Sequence, residues 1–134
     1  MRTTAALVAL LAGLTLVAAG CGGSERDEES ATPTQAIAEI GKVRRLLDSA
    51  LAKYRAGKAE QAEQLVGDAY LEHFEHVEGP LEDADEDLME DLEETIATEL
   101  RDKIKAGAPV DEVAELVEHA KEHLDEAQGV LAEA

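Results

Sequence analysis

The sequence predicts an all-α protein, an up-down-up-down four-helix bundle. Apolar residues recur at spacings of three and four in four successive segments, and a glycine or proline follows each of the first three. No alternating strand pattern or hairpin turn occurs anywhere in the chain. Because the predicted connections are short, we expect neighbouring helices to be antiparallel. Roughly a hundred residues are enough for one such core.

Residues 1–20 are predicted to be an export signal that precedes this domain. Arg2 is followed by an unbroken run of apolar and small residues, and "AAGC" ends at Cys21. Small residues directly before a lone cysteine are typical of a bacterial lipoprotein cleavage site. Ala18 occupies the position where such sites usually carry Leu or Val. The alternative is an uncleaved anchor with a buried cysteine.

Cys21 is the only cysteine of the chain, so no intramolecular disulfide and no zinc cage of cysteines can form. We expect it to carry the lipid that tethers the mature protein to the extracytoplasmic face of the cell membrane. Residues 21–33, which include "GGSERDEESATP", have no apolar period and predict a flexible acidic linker. The helical domain is predicted over residues 34–134.

The first two helices are predicted over residues 34–56 and 59–78. Their apolar positions are Ile37, Ile40, Val43, Leu47, Ala50, Leu51 and Tyr54 in the first helix, and Ala62, Leu65, Val66, Ala69, Tyr70, Phe74 and Val77 in the second. Gly57 is expected to end the first helix in a left-handed conformation. Gly79-Pro80 is expected to break the second, because proline lacks the amide donor and crowds the preceding turn.

The third and fourth helices are predicted over residues 84–106 and 109–131. Their apolar positions are Leu88, Leu92, Ile96, Leu100 and Ile104 in the third helix, and Val113, Leu116, Val117, Ala120, Leu124, Ala127 and Leu131 in the fourth. Gly107 is expected to end the third helix, and Pro109 suits the first turn of the fourth.

The formal net charge of −19 bears on the partners of the protein. Such a surface repels nucleic acid and anionic headgroups and attracts cations, so DNA or RNA binding is excluded. Simple solubility, or adaptation to salt, explains the same charge. The sequence contains no nucleophile paired with a base, no phosphate loop and no fingerprint of an organic cofactor, so we predict a protein that is not an enzyme.

The stretch "DAYLEHFEHVEGPLEDADED" is the primary candidate metal site. Glu72, Glu75 and Glu78 are three residues apart, and His73 and His76 repeat that interval, so they are neighbours on a helix surface. Carboxylates suit hard cations and imidazoles suit zinc, copper or ferrous iron. In a chain so rich in glutamate the same spacing recurs elsewhere, and the alternative is a solvated acidic helix.

The acids that follow Gly79-Pro80 are interpreted as the start of the third helix, where negative charge complements the exposed amides. Asp83, Asp85 and Asp87 also alternate as in a calcium loop, but Leu88 occupies the place where the loop needs glycine.

His119 and His123 form a secondary metal candidate. They are four residues apart on the fourth helix and could clamp one divalent ion. "HAKEH" lacks the glutamate after its first histidine, so a metalloprotease site is excluded. The alternative is a half-buried or solvated surface pair.

The segment "YRAGKAEQAEQLVGDAYLEHFEHVEGPLED", with "ELRDKIKAGAPVDEVAELV" after it, resembles the extracytoplasmic helical domain of bacterial members of the high-affinity iron permease family. The resemblance rests on the spacing of Tyr54, Gly57, Tyr70 and the Phe74-Glu75 pair, and it covers most of the chain from Val43 onward. It implies a helical bundle outside the membrane that takes part in the uptake of iron or a related metal. The Arg-Glu-x-x-Glu transport signature of those permeases is absent from this chain.

The sequence therefore predicts a membrane-anchored lipoprotein that binds or presents metal cations to an uptake system, with a metal permease as candidate partner. Iron is the leading candidate, and another divalent or trivalent metal is the alternative ligand. The alternative function is a structural or protein-interaction lipoprotein module that binds no metal.

Overall fold

A computed structural model describes residues 31–134. The predicted signal, Cys21 and residues 22–30 of the predicted linker lie outside the described residues. Within residues 31–134 the chain forms four helices and no strand, which confirms the all-α prediction. No helix in this range combines the length and the apolar character needed to cross a membrane.

Helix α1 spans Pro33–Arg55 and has a defined cap at each end. At its start the Thr32 hydroxyl accepts from the backbone N–H of Gln35, and the Gln35 side chain accepts from the backbone N–H of Thr32, which makes a reciprocal capping box. At its end Gly57 has a φ of 74°, as predicted. The Gly57 and Lys58 amides donate to carbonyls of the last turn, which is a Schellman motif.

Helix α2 runs without interruption over residues 59–84, as α-helical Ala59–Asp68, π-helical Ala69–Phe74 and α-helical Glu75–Ala84. The prediction that Gly79-Pro80 ends this helix was wrong, because Pro80 lies inside it. An internal proline costs about 3 kcal/mol. Val77, Pro80 and Leu81 are all buried, and a fully buried aliphatic side chain contributes about 1.5–3 kcal/mol, so packing offsets the lost hydrogen bond.

Helix α3 covers residues 86–105, as Glu86–Glu93, π-helical Glu94–Glu99 and Leu100–Lys105. Only Asp85 separates it from α2, and Asp85 has an extended backbone. Its carboxylate accepts from the Leu88 amide at 3.1 Å, so Asp85 caps the start of α3 and Asp87 lies in its first turn, as interpreted from the sequence, whereas Asp83 belongs to the last turn of α2. Gly107, with a φ of 68°, ends α3 in a second Schellman motif.

Helix α4 spans Val110–Glu133 and begins directly after Pro109. All four helices contribute to one mostly aliphatic core, in which Phe74 is the largest fully buried side chain. The apolar positions predicted from the sequence supply most of this core. Ile37, Leu65, Tyr70 and Leu116 pack against its edge and are only half-buried.

Several side-chain contacts join the helices. The Tyr54 hydroxyl, near the end of α1, donates to the Ala108 carbonyl at 2.6 Å in the connection between α3 and α4. Arg101 of α3 contacts Glu63 of α2. A small pocket is lined by residues from the start of α1, the end of α2 and the C-terminus, namely Ala31, Pro33, Pro80, Asp83, Ala84 and Ala134.

Candidate functional site

The five residues of the primary candidate site do not share one surface. Glu72, Glu75 and His76 are exposed, whereas His73 and Glu78 are half-buried and have different neighbours. Glu72 and His73 belong to the π-helical segment Ala69–Phe74, and the others follow it. The wider π turn changes the angular spacing between successive residues, so intervals of three no longer align side chains as they do in an α-helix.

His73 contacts α1 rather than another member of the predicted set. Its Nδ1 lies 2.7 Å from Oε2 of Glu39, whose Oε1 binds Lys42 at 2.7 Å. The hydrogen bond from Lys42, together with the one from His73, lowers the pKa of the Glu39 carboxyl against the opposing effect of burial. Glu39 thus remains an ionised partner that fixes the orientation of the His73 ring.

Glu78 lies in the seam between α2 and α3, together with Tyr70 and Glu93. The Tyr70 hydroxyl donates to Oε1 of Glu93 at 3.2 Å. Oε1 of Glu78 is buried and has no hydrogen-bond partner among the described residues. We call Tyr70, Glu78 and Glu93 the seam cluster. It places two carboxylates beside one phenol at the junction of two helices.

Electrostatics in the seam cluster favour a bound positive charge. Burial raises the pKa of the Glu78 carboxyl; proximity to the Tyr70 hydroxyl opposes this effect, and the charge of Glu93 adds to it. Burial, followed by the negative charge of Glu78, raises the pKa of the Tyr70 phenol. Both shifts show that negative charge is costly here, so a proton or a cation between these oxygens would relieve it.

Two π-helical segments flank this cluster. Tyr70 lies within Ala69–Phe74 of α2, and Glu93 directly precedes Glu94–Glu99 of α3. Segments of this kind are rare, and in proteins they occur often at functional sites. They could not be predicted from the sequence, because no residue type marks a π turn as glycine or proline marks a helix end.

The secondary candidate pair lies together on α4. The ring centroids of His119 and His123 are 4.2 Å apart, with a 55° angle between the ring planes. His119 is exposed and His123 is half-buried. Nδ1 of His123 is buried and has no hydrogen-bond partner in the described part of the chain.

No group of three or more His, Cys, Asp or Glu side chains within residues 31–134 is arranged to hold a metal ion. A metal at the seam cluster would therefore need the Tyr70 oxygen in addition to the two carboxylates, and a metal at the histidine pair would complete its coordination with water.

The sequence also did not predict an open groove of about 810 Å³ between α3 and α4. Its polar lining comes from Thr98, Glu99, Asp102, Lys103, Glu112, Glu115 and His119. Leu116 and Ala106 supply apolar surface. Lys103 lies 2.7 Å from Glu112 across the groove, so acidic groups outnumber free basic ones along its walls.

Comparison with known proteins identifies no relative: no family model, no curated protein and no solved structure matches this chain. The resemblance to the iron permease domain therefore stays a prediction.

Proposed function

We propose that this protein is a lipid-anchored extracytoplasmic protein whose helical domain binds a hard metal cation, iron first, at the seam cluster and presents it to an uptake system such as a metal permease. The observation that carries the proposal is the buried Oε1 of Glu78, which lies beside Tyr70 and Glu93 and has no hydrogen-bond partner within residues 31–134. Residues 1–20 act as the export signal in this proposal, and Cys21 carries the lipid.

The four helices run up-down-up-down in this proposal, as an antiparallel bundle. Support comes from the pocket that joins the start of α1 to the end of α2 and to the C-terminus. The contact of Tyr54 with Ala108 joins the opposite end of α1 to the connection between α3 and α4. The pairing of Arg101, late in α3, with Glu63, early in α2, fits antiparallel neighbours as well.

The chemistry of the seam cluster favours ferric iron over softer ions. Its three donors are oxygens, which suit hard cations. Two carboxylates and an ionised phenol would supply three negative charges to a trivalent ion. Because burial and Glu78 raise the pKa of the Tyr70 phenol, only a strongly polarising cation would displace its proton.

The experiment is titration of the purified full-length chain with ferric citrate, followed by calorimetry and visible absorption. A phenolate bound to ferric iron gives a coloured charge-transfer band. We expect saturable binding at one ion per chain, and we expect Tyr70→Phe to abolish the band.

A matched pair of variants separates this site from diffuse attraction by the acidic surface. Glu78→Gln/Glu93→Gln and Glu72→Gln/Glu75→Gln remove the same formal charge, but only the first pair belongs to the seam cluster. We expect the first pair to lose saturable binding and the second to keep it. The proposal would be contradicted if both double variants bound ferric iron equally weakly, or if the chain bound many ions in a manner that added salt suppresses.

The second candidate function is a protein-interaction module that binds no metal. The groove between α3 and α4 favours it, because a lining that combines acidic side chains with apolar surface suits a partner segment that is both basic and apolar. This candidate predicts no ferric binding above that of the Glu78→Gln/Glu93→Gln chain. It also predicts that charge reversal at Glu99 and Asp102 releases the partner that copurifies with the wild-type chain.

The proposed anchor has its own test. The full-length chain should partition with membranes and incorporate labelled fatty acid in bacterial cells, and Cys21→Ser should abolish the incorporation. Incorporation that persists in the Cys21→Ser chain would contradict the assignment of the lipid to this residue.

A further inference from the structure

The pair of histidines on α4 has a geometry that the seam cluster does not use. His119 and His123 are one turn apart, and their ring centroids are separated by only 4.2 Å. Two imidazole nitrogens that bind one zinc ion each lie about 2.0–2.1 Å from it, so the two rings must be close neighbours. Rings that already contact each other meet this condition without a change in the backbone.

Nδ1 of His123 is buried but has no hydrogen-bond partner within the described residues, so no hydrogen bond at this atom holds the ring in its present orientation. A rotation that brings this ring to a shared ion therefore breaks no hydrogen bond at Nδ1. His119 is exposed, so an ion can reach the pair from solvent.

The other two histidines provide an internal comparison. His73 and His76 are three residues apart on α2, and His73 is already bound to Glu39 through Nδ1. His76 is exposed, and no ring contact joins it to His73 in the described part of the protein. The two pairs contain the same side chains, but only the pair on α4 presents adjacent rings.

The surroundings of the α4 pair favour a cation. Glu115 lies one turn before His119 and is exposed, and both residues line the groove between α3 and α4. Glu118 and Glu122 line a second depression with His119. The nearest lysine in sequence, Lys121, contacts Asp48 at 2.9 Å and Glu118 at 3.3 Å, so its positive charge is offset.

We propose that His119 and His123 form a chelating site for a borderline divalent transition metal such as copper, nickel or zinc. One nitrogen from each ring binds the ion, and water completes its coordination. Imidazole donors select this class of metal, whereas the oxygen donors of the seam cluster select hard cations. The site is therefore separate from the proposed iron site in both position and chemistry.

The experiment is titration of the purified full-length chain with Cu²⁺ in high salt, followed by calorimetry and electron paramagnetic resonance. We expect one saturable site with an affinity in the micromolar range and hyperfine splitting from two nitrogen ligands. His119→Ala and His123→Ala should each abolish the two-nitrogen signal, because chelation needs both rings. Circular dichroism of the metal-free variants verifies that they remain helical.

His73→Ala/His76→Ala is the matched control, and we expect it to keep the two-nitrogen signal. Glu78→Gln/Glu93→Gln should keep it as well, so loss of the proposed iron site leaves this test intact. The proposal is overturned if the signal survives His119→Ala, or if the control pair on α2 abolishes it instead.

Discussion

The hydroxyl of Tyr70 donates to Oε1 of Glu93 at 3.2 Å and so joins the π-helical segment of α2 to α3. Glu78 lies beside this hydrogen bond, with a buried oxygen that has no partner among residues 31–134. Burial raises the pKa of the Glu78 carboxyl, and this has measurable consequences even without a bound metal.

Glu78→Gln should stabilise the metal-free protein at neutral pH. Burial raises the pKa of the folded-state carboxyl, so the folded chain binds more protons than the unfolded chain between the ordinary glutamate pKa of 4.5 and the raised pKa. Wild-type stability therefore falls as pH rises through that window, and the variant lacks this component. Solvent screens a half-exposed carboxylate, so we expect a gain of at most about 1 kcal/mol.

Urea unfolding at a series of pH values measures this effect. The difference between variant and wild type should vanish as pH falls below the unfolded-state pKa. Glu75→Gln, an exposed carboxylate on the same helix, is the control. A difference that grows on acidification would contradict the assignment.

Phe74→Ala should destabilise the domain by about 3–5 kcal/mol, because it leaves a large cavity in the core. Phe74 is fully buried, whereas Leu71, in the same π-helical segment, is 55% exposed. Leu71→Ala should therefore change the free energy of unfolding by no more than about 0.5 kcal/mol. Denaturant unfolding of both variants measures these free energies. Similar losses from Phe74→Ala and Leu71→Ala would contradict the assignment of Phe74 to the core and of Leu71 to the surface.

Gly57→Ala and Gly129→Ala should have opposite effects. Gly57 has a φ of 74°, where a Cβ is strained, so alanine should cost about 1–2 kcal/mol. Gly129 lies within α4, and a Cβ there would meet nothing within 4 Å. Alanine at Gly129 should stabilise the helix by at most about 1 kcal/mol, because Gly129 lies in the last two turns, where helix propensity contributes less than in the middle of a helix. Thermal unfolding of both variants verifies the signs, and a Gly57→Ala chain as stable as wild type would be inconsistent with this cap.

Glu63→Gln should remove an acid-sensitive part of the stability. Nε and Nη2 of Arg101 both donate to Oε1 of Glu63, at 2.9 and 2.6 Å, and this hydrogen bonding lowers the pKa of the carboxyl. A lowered pKa stabilises the fold above the unfolded-state value, and the contribution is lost as pH falls through the folded-state value. We expect a loss of about 0.2–1 kcal/mol at neutral pH.

Arg101→Lys should lose most of the same contribution, because an ammonium cannot present the guanidinium fork. Glu60→Gln, an exposed acid in the same helix, controls for the change in net charge. Urea unfolding measured at a series of decreasing pH values distinguishes the Glu63→Gln and Arg101→Lys chains from the Glu60→Gln control. An equal response from Glu60→Gln would show that the effect is general repulsion between acids.

The spacing of apolar residues predicted four helices and most of the core, because one buried stripe per helix determines which side chains turn inward. The glycines at 57 and 107 likewise predicted their helix ends, since few other residues adopt a positive φ. Local rules failed at Pro80, where the burial of neighbouring side chains outweighs the missing amide.

The candidate site was less predictable than the fold. Glu78 was identified from its spacing along α2, but its neighbour Glu93 lies on another helix, 23 residues after Tyr70. Glu39, which binds His73, is 34 residues away in the chain. Spacing reports which residues share a helix face, whereas these pairs depend on how two helices rotate against each other. The π turns alter that rotation, and nothing in the sequence marks them.

A single residue, Asp85, connects α2 to α3, whereas α1 and α3 are each followed by several connecting residues. A one-residue connection cannot absorb an insertion, so one added amino acid at this point must either unwind a neighbouring helical turn or shift the register of a whole helix. Lengthening is therefore tolerated only in the two glycine-capped connections. A reporter or an affinity tag inserted inside the domain should therefore be placed within residues 56–58 or 106–109 and not next to Asp85.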